Sequence, residues 1–317
     1  MQTAATTAVR LRSMPAITLP DVGYTPQLGW SSTRSETFRS CRRRYFFQYY
    51  GRYDKELPPG LIQRLKGLSS IPMTVGEAVH QVLAVLLQRL LRTTAAIDRE
   101  RFDRHVLQTI TDLLEATELM EVHYQQRTAP TASELQGPVL ACLEHFLASE
   151  RYRWLQAVLP ADPRYLIEPP GFGEARLQGR KIYAKVDCLF EVDGEVVILD
   201  WKSGRQDPAK HLRQLLGYAA WAEDHLKLPA EQIRCVAAYL QDGYTEIEKR
   251  PTAAELQGLA AEVAAEIQAM EHLCRDPQRN IPLEKDAFPL TENLGYCRNC
   301  QFRDLCDRRD AGASSQP

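Results

Sequence analysis

Asp187, Asp200 and Lys202 are the residues of this chain whose types and spacing could do chemistry. Asp200 and Lys202 stand two apart at the end of Glu195-Val-Val-Ile-Leu-Asp200-Trp-Lys202, and Asp187 lies in the preceding apolar run, Lys181 to Val192. Asp193-Gly194 between these runs predicts a hairpin turn. Side chains two apart in a strand point to one face, so Asp200 and Lys202 share a face while Leu199 and Trp201 take the other. Two carboxylates and an ammonium brought together suit a hard divalent cation such as Mg²⁺, which keeps waters for a phosphate. The ion lowers the pKa of a water and neutralises charge on a scissile phosphodiester, while the Lys orients that water or stabilises the developing charge. Taken alone, Asp-x-Lys also reads as the charged end of an edge hairpin. The rest of the chain decides between the two.

Helical segments must position further groups. His80 lies within Thr74 to Leu91, where apolar residues recur at helical spacing, and Thr74 with Glu77 three residues later predicts a capping box that starts the helix there. A His on such a helix is in isolation a hydrogen-bonded core residue. Gln214 and Tyr218 are four apart in a helix predicted to begin after Asp207-Pro208, so they share one face, one turn apart. Tyr218 packed in the core beside Leu215 and Trp221 is the plainer alternative. Near the C-terminus, Cys297-x₂-Cys300-x₅-Cys306 offers three thiolates in a turn-rich segment and leaves one position to fill on a tetrahedral centre. From spacing alone, zinc is the ion that four thiolates favour. Cys142, Cys188, Cys235 and Cys274 lie in apolar segments and read as small core hydrophobes.

In combination, these motifs carry a resemblance. Val186-Asp187, a short hairpin, then Ile198-Leu-Asp200-Trp-Lys202-Ser-Gly204, with Gly76-Glu-Ala-Val-His80 upstream and Gln214-Leu-Leu-Gly-Tyr218 downstream, resembles the RecB-like branch of the PD-(D/E)XK nuclease superfamily. The resemblance spans Ser32 to Cys306 and includes the form of these nucleases that bears an iron–sulfur cluster, similar to CRISPR-associated RecB-like exonucleases and the AddB nuclease domain. It implies that Asp187, Asp200, His80 and the backbone carbonyl of Trp201 hold Mg²⁺ or Mn²⁺, with Lys202 catalytic beside Asp200 and Asp187. By the same resemblance Gln214 bonds a phosphate or an active-site group, Tyr218 contacts DNA, and Cys41 joins Cys297, Cys300 and Cys306 around a [4Fe-4S] cluster. Closing a loop of about 255 residues in this way is worth on the order of 5 kcal/mol by chain entropy, as an upper figure. Glu168, before Pro169-Pro170, resembles a family acid but equally reads as a surface carboxylate.

Composition sets the frame. With 317 residues, 44% of them hydrophobic and 25% charged, the chain can bury a sizeable core. Cysteines in a metal-type pattern point to a reducing compartment, and a cytoplasmic location is expected. The first twenty residues read as an irregular tail rather than a targeting signal. No stretch is expected to span a membrane. A net charge of −2 gives no general hint of nucleic acid. Locally, Arg42, Arg43 and Arg44 precede Tyr45-Phe46-Phe47, a mixture that could track phosphates and stack bases, or form the exposed face of an amphipathic helix. No GxxxxGK[ST] motor motif occurs, so unwinding is left to a helicase partner or to substrate already single-stranded.

Helices are predicted at 32–50, 74–94, 97–124, 131–158 and 252–275, and strands at 164–168, 174–178, 181–192, 195–201, 232–240 and 243–249. The expected architecture is α/β: a PD-(D/E)XK core with a mixed sheet at 161–275, a helical region at 31–160, an irregular tail at 1–30, and a cysteine tail at 276–317 closing on Cys41. The expected function is metal-dependent DNA exonucleolysis on single strands or ends, in repair, recombination or CRISPR and phage-defence processing. The alternative is a non-catalytic iron–sulfur subunit that keeps the nuclease fold and binds DNA or a partner; a helicase or a CRISPR-adaptation protein is the partner expected.

Overall fold

The structure, a computed structural model, describes residues 17, 19, 25–161, 163–171 and 173–308. Most of the expected 1–30 tail and the end of the 276–317 segment lie outside the described residues. The helices are α1 (Ser32–Ser40), α2 (Arg42–Tyr45), α3 (Pro59–Lys66), α4 (Ile71–Leu90), α5 (Arg99–Ala116), α6 (Met120–His123), α7 (Ala132–Leu147), α8 (Glu150–Val158), α9 (Pro208–Leu226), α10 (Ala253–Glu271) and α11 (Gly295–Arg298). The strands are β1 (Arg164–Ile167), β2 (Gly173–Leu177), β3 (Arg180–Ala184), β4 (Cys188–Val192), β5 (Glu195–Lys202), β6 (Ile233–Tyr239), β7 (Thr245–Lys249), β8 (Cys274–Asp276) and β9 (Ile281–Pro282).

One sheet organises the fold, in the order β1-β4-β5-β6-β7. β5 and β6 run parallel, because α9 crosses over between them, and the other neighbours run antiparallel: short turns join β4 to β5 and β6 to β7, while the β2–β3 hairpin lies between β1 and β4. Strand alternation splits the apolar side chains into two cores. Val196 and Ile198 of β5 face a cluster with Leu215 and Ala219 of α9, whereas Val197, Leu199 and Trp201 face one with Val79 and Leu83 of α4 and Phe146 of α7. At the β4–β5 turn Asp193 and Gly194 both take positive φ, 53° and 79°, the backbone that a two-residue hairpin with native twist requires.

Several expected elements break where a local group interrupts them. The 32–50 helix parts at Cys41, whose backbone is extended (φ −161°, ψ 119°) and whose Sγ accepts the Arg44 N–H to cap α2. The 131–158 segment parts at Ser149, whose hydroxyl caps α8. The 181–192 run is two strands: β3 pairs with β2 in a small separate sheet and bridges Trp30, and β4 joins the main sheet after a bend at 185–187. α4 starts at Ile71 rather than Thr74, since Ser70 caps it and Pro72 suits its first turn. Thr74 is buried inside that turn beside the Ser69 hydroxyl, so the expected capping box does not form. With its 20 residues, α4 is also long and apolar enough to cross a membrane, contrary to the sequence expectation. Here its apolar face packs on the main sheet, with Ala78, Val79 and Leu83 fully buried.

Candidate metal centre

The centre forms at the end of β5, where four elements leave polar groups. Pairing of β4 with β5 stops at Cys188 opposite Leu199, so Asp187 lies just outside the ladder. Its carboxylate takes the place of a strand: Asp187 Oδ2 accepts the Trp201 N–H at 2.7 Å. Beyond β1, Glu168 turns at φ +37°, held by its N–H on the Asp187 carbonyl at 2.7 Å, which brings its carboxylate inward. His80 comes from α4, with Nδ1 3.1 Å from Glu168 Oε1 and 3.4 Å from Asp187 Oδ1, and Nε2 3.1 Å from the Trp201 carbonyl oxygen. α4 can approach this closely because of Gly76, one turn before His80, where a Cβ would sit 2.8 Å from the Ser203 hydroxyl.

Among the described residues, His80, Glu168 and Asp187 bring three ligand atoms within 4.8 Å of one another, a group that could hold a metal ion. Burial alone would lower the pKa of His80, but Asp187 and Glu168 outweigh it and hold the imidazole well above its usual value. A cation is therefore favoured at this point, and the donor set of one imidazole and two carboxylates suits Mn²⁺ or Mg²⁺.

Asp200 and Lys202 share a face, as the two-residue period requires, but they turn toward α9 rather than into the His80 group. The Lys202 ammonium forms an ion pair with Asp200 Oδ2 and donates to Gln214 Oε1 at 2.8 Å. Gln214 Nε2 donates to the Tyr218 hydroxyl at 2.7 Å, and that hydroxyl donates to Asp200 Oδ1 at 2.9 Å. The four residues close a ring. Asp200 is 2% exposed, and burial first, then the Asp187 charge, push its pKa up to about 6 against the opposing pull of Lys202. Gln214 thus bonds Lys202, one of the groups expected at the site. Tyr218 does not reach out to DNA; its hydroxyl is spent on Asp200 inside the core.

A profile of the PD-(D/E)XK nuclease superfamily matches residues 29–307. The chain belongs to the PD-(D/E)XK nuclease superfamily. In residue type and order, Asp187 and Asp200-Trp-Lys202 resemble the acid, the second acid and the lysine of the motif in that name, with Val186 where the motif has proline. The mixed sheet flanked by helices agrees with this membership. Among solved structures the chain is similar to one titled "Crystal structure of SSO0001", at 16% identity and a TM-score of 0.30, over 60% of this chain and 79% of that one. No curated protein sequence matches it.

Glu168 is the group that sequence reading left undecided, and the structure brings it to His80 and Asp187, the cluster that could hold a metal. His211 and Tyr239 were missed. His211 lies one turn before Gln214 on the same face of α9, its Nδ1 2.8 Å from the Tyr239 hydroxyl, and Tyr239 is the register partner of Lys202. The spacing 211, 214, 218 was the available signal. Burial first, then Lys202, lower the pKa of His211 to about 4, which keeps it neutral beside the ammonium.

The structure also brings the four cysteines expected at a second centre to one place. Cys41, Cys297, Cys300 and Cys306 line one small cavity with Arg44, Arg303 and Arg308. Burial first, then neighbouring thiols, push Cys306 up to about 12; burial likewise raises Cys300. The expected stacking surface next to this cavity does not form. Tyr45, Phe46, Phe47 and Tyr50 are each 1% exposed or less. Arg42 stacks on Phe38, Arg43 Nε donates to the Phe288 carbonyl at 2.8 Å, and Arg44 faces the cysteines. Arg43 and Arg44 thus meet the C-terminal segment, while Arg42 stays on α1.

Proposed function

We propose that this chain is a divalent-metal-dependent DNA nuclease whose metal is held by His80, Glu168 and Asp187. The observation that supports it most is the convergence of those three ligand atoms beside the Asp200–Lys202 pair in a PD-(D/E)XK chain. A bound Mg²⁺ or Mn²⁺ would supply an acidified water and neutralise charge on the scissile phosphate. Asp187 orients the β5 end through the Trp201 N–H, which presents the Trp201 carbonyl beside His80. Lys202 stands ready to stabilise charge on the attacked phosphate, and Gln214 with Tyr218 fixes its direction. Asp200 balances the ammonium and can add a carboxylate oxygen to the metal only by loosening its ion pair with Lys202. The proposal extends to the RecB-like branch, with exonucleolysis of single strands or ends and with unwinding or CRISPR adaptation left to partner proteins; the ordered His80, Asp187, Asp200-x-Lys202 and Gln214-x₃-Tyr218 motifs support it.

For the cysteines we read a [4Fe-4S] cluster. Four thiols on one cavity, from residues distant in sequence, fit a metal centre that clamps the C-terminal segment onto α1 and α2. Anaerobic protein should contain about four irons per chain for the cluster expected. Stoichiometric zinc without iron would replace the cluster with a zinc clamp.

The activity is tested with end-labelled single-stranded and duplex DNA, each with and without Mn²⁺. Metal-dependent shortening of the single strand, lost in Lys202→Ala and Asp187→Ala with folding intact, is expected. Equal cleavage by these variants would overturn the assignment.

A further inference from the structure

Three arginines line the cysteine cavity, and two of them carry a buried, unpartnered Nε–H. Arg44 and Arg303 line the cavity, and Nε of each is buried with no hydrogen-bond partner. Arg303 is 3% exposed, lies on the Tyr124 ring with its guanidinium carbon 3.7 Å from the centroid, and uses Nη1 on the Arg298 carbonyl at 2.6 Å. Arg308 Nη1 donates to Cys297 Sγ at 3.3 Å and to the Thr291 carbonyl at 2.6 Å. The Arg44 backbone N–H donates to Cys41 Sγ at 3.4 Å.

Leaving a buried guanidinium N–H without an acceptor is costly, and two such N–H groups on residues of one cavity suit an anionic acceptor there. Four neutral thiols are weak acceptors. A metal centre with four thiolates carries net negative charge and presents sulfur lone pairs on its outside, which is what these N–H groups lack.

We infer that Arg44, Arg303 and Arg308 form a cationic shell that compensates the charge of a metal–tetrathiolate centre held by Cys41, Cys297, Cys300 and Cys306, and so sets its stability and reduction potential. This rests on the cysteine centre proposed above. Hydrogen bonds and positive charge next to the sulfurs stabilise the more negative, reduced state, so the shell raises the potential. The three arginines belong to the N-terminal region and the C-terminal segment, so the same charge contact ties those two parts together when metal is bound.

The test uses the full chain purified anaerobically, with Arg44→Met, Arg303→Met and Arg303→Lys. Metal content by elemental analysis comes first. The rate of metal loss to a chelator, the potential from a mediated dithionite titration, and the unfolding midpoint of metal-stripped protein are then measured. Both Met variants should release metal at least several-fold faster and show a lower potential than wild type, and Arg303→Lys should recover much of each. A merely structural role would lower the metal-stripped midpoint and leave the potential where it was. Unchanged potential and release in both Met variants, with iron present, would overturn the shell while leaving the cluster intact. Zinc in place of iron would overturn the cluster reading and the potential; faster zinc release in the Met variants would uphold the shell, and equal release would overturn it.

Discussion

The Tyr218 hydroxyl donates to Oδ1 of Asp200 at 2.9 Å, from a helix to the strand beneath it, and both residues are buried. Through this bond α9 fixes the carboxylate that in turn holds Lys202. Tyr218→Phe keeps the ring and deletes the bond, leaving Oδ1 unsatisfied. Such a loss costs about 1 to 3 kcal/mol. We expect a stability decrease in that range, by denaturant titration, and a fall in cleavage rate of roughly ten-fold or more, since about 1.4 kcal/mol of transition-state stabilisation is ten-fold. Loss of stability with an unchanged rate would show that the ring acts only in folding.

Asp200 and His211 give opposite pH dependences to the metal-free protein. Asp200 has a folded pKa of about 6, raised above its ordinary value, so its contribution is fully present below about 4 and is lost as pH rises through 6. His211 has a folded pKa of about 4, lowered from 6.5, so its contribution is present above 6.5 and is lost as pH falls through 4. Each displacement corresponds to on the order of 1 to 3 kcal/mol at 1.36 per pH unit. In wild type the two largely offset each other between pH 4 and 6.5. Asp200→Asn should therefore lose stability on acidification across that window, and His211→Gln should gain it, as read by urea midpoints at several pH values. Parallel profiles for both variants would contradict the assignment.

Gly76 sets the approach of α4 to β5. Gly76→Ala gains up to about 1 kcal/mol of helix propensity, and its methyl needs only a turn of the Ser203 hydroxyl, so stability should change by less than about 1 kcal/mol. Gly76→Leu has no such escape. It should push His80 off the Trp201 carbonyl and weaken Mn²⁺ binding by ten-fold or more while the fold persists by circular dichroism. Wild-type binding in Gly76→Leu would show that α4 is free to shift.

Glu168 and Asp187 together raise the pKa of His80. Glu168→Gln should lower it, since burial then meets one carboxylate less, and this is measured by NMR titration of the imidazole in metal-free protein. An unmoved titration would place Glu168 outside the cluster in solution.

How much of this was legible follows from the range of the forces involved. The Asp193-Gly194 turn, the shared face of Asp200 and Lys202, and the Gln214–Tyr218 pairing are local properties of backbone period and φ, and a sequence displays them directly. The break between β3 and β4 is not local. The apolar run 181–192 continues through it, and the bend at Asp187 exists because β3 leaves for β2 while β4 joins β1 and β5. Cys41 interrupts a segment of good helical pattern because its extended backbone turns the thiol toward residues more than 250 positions later, a constraint no window around it contains. Arg42, Arg43 and Arg44 look like a basic surface in one dimension, yet Arg43 and Arg44 meet the C-terminal segment and Arg42 stacks on Phe38. Glu168 needed its positive φ and its bond to the Asp187 backbone before its direction was fixed.

The central claim is that His80, Glu168 and Asp187 bind the divalent ion that the chemistry uses. Mn²⁺ binding to the full chain, followed by loss of the free-ion EPR signal, tests it directly in wild type, His80→Ala, Glu168→Gln and Asp187→Ala. Stoichiometric binding by wild type, weakened at least ten-fold in each variant together with DNA cleavage, is the predicted result. Wild-type Mn²⁺ affinity in Asp187→Ala and His80→Ala would contradict the account.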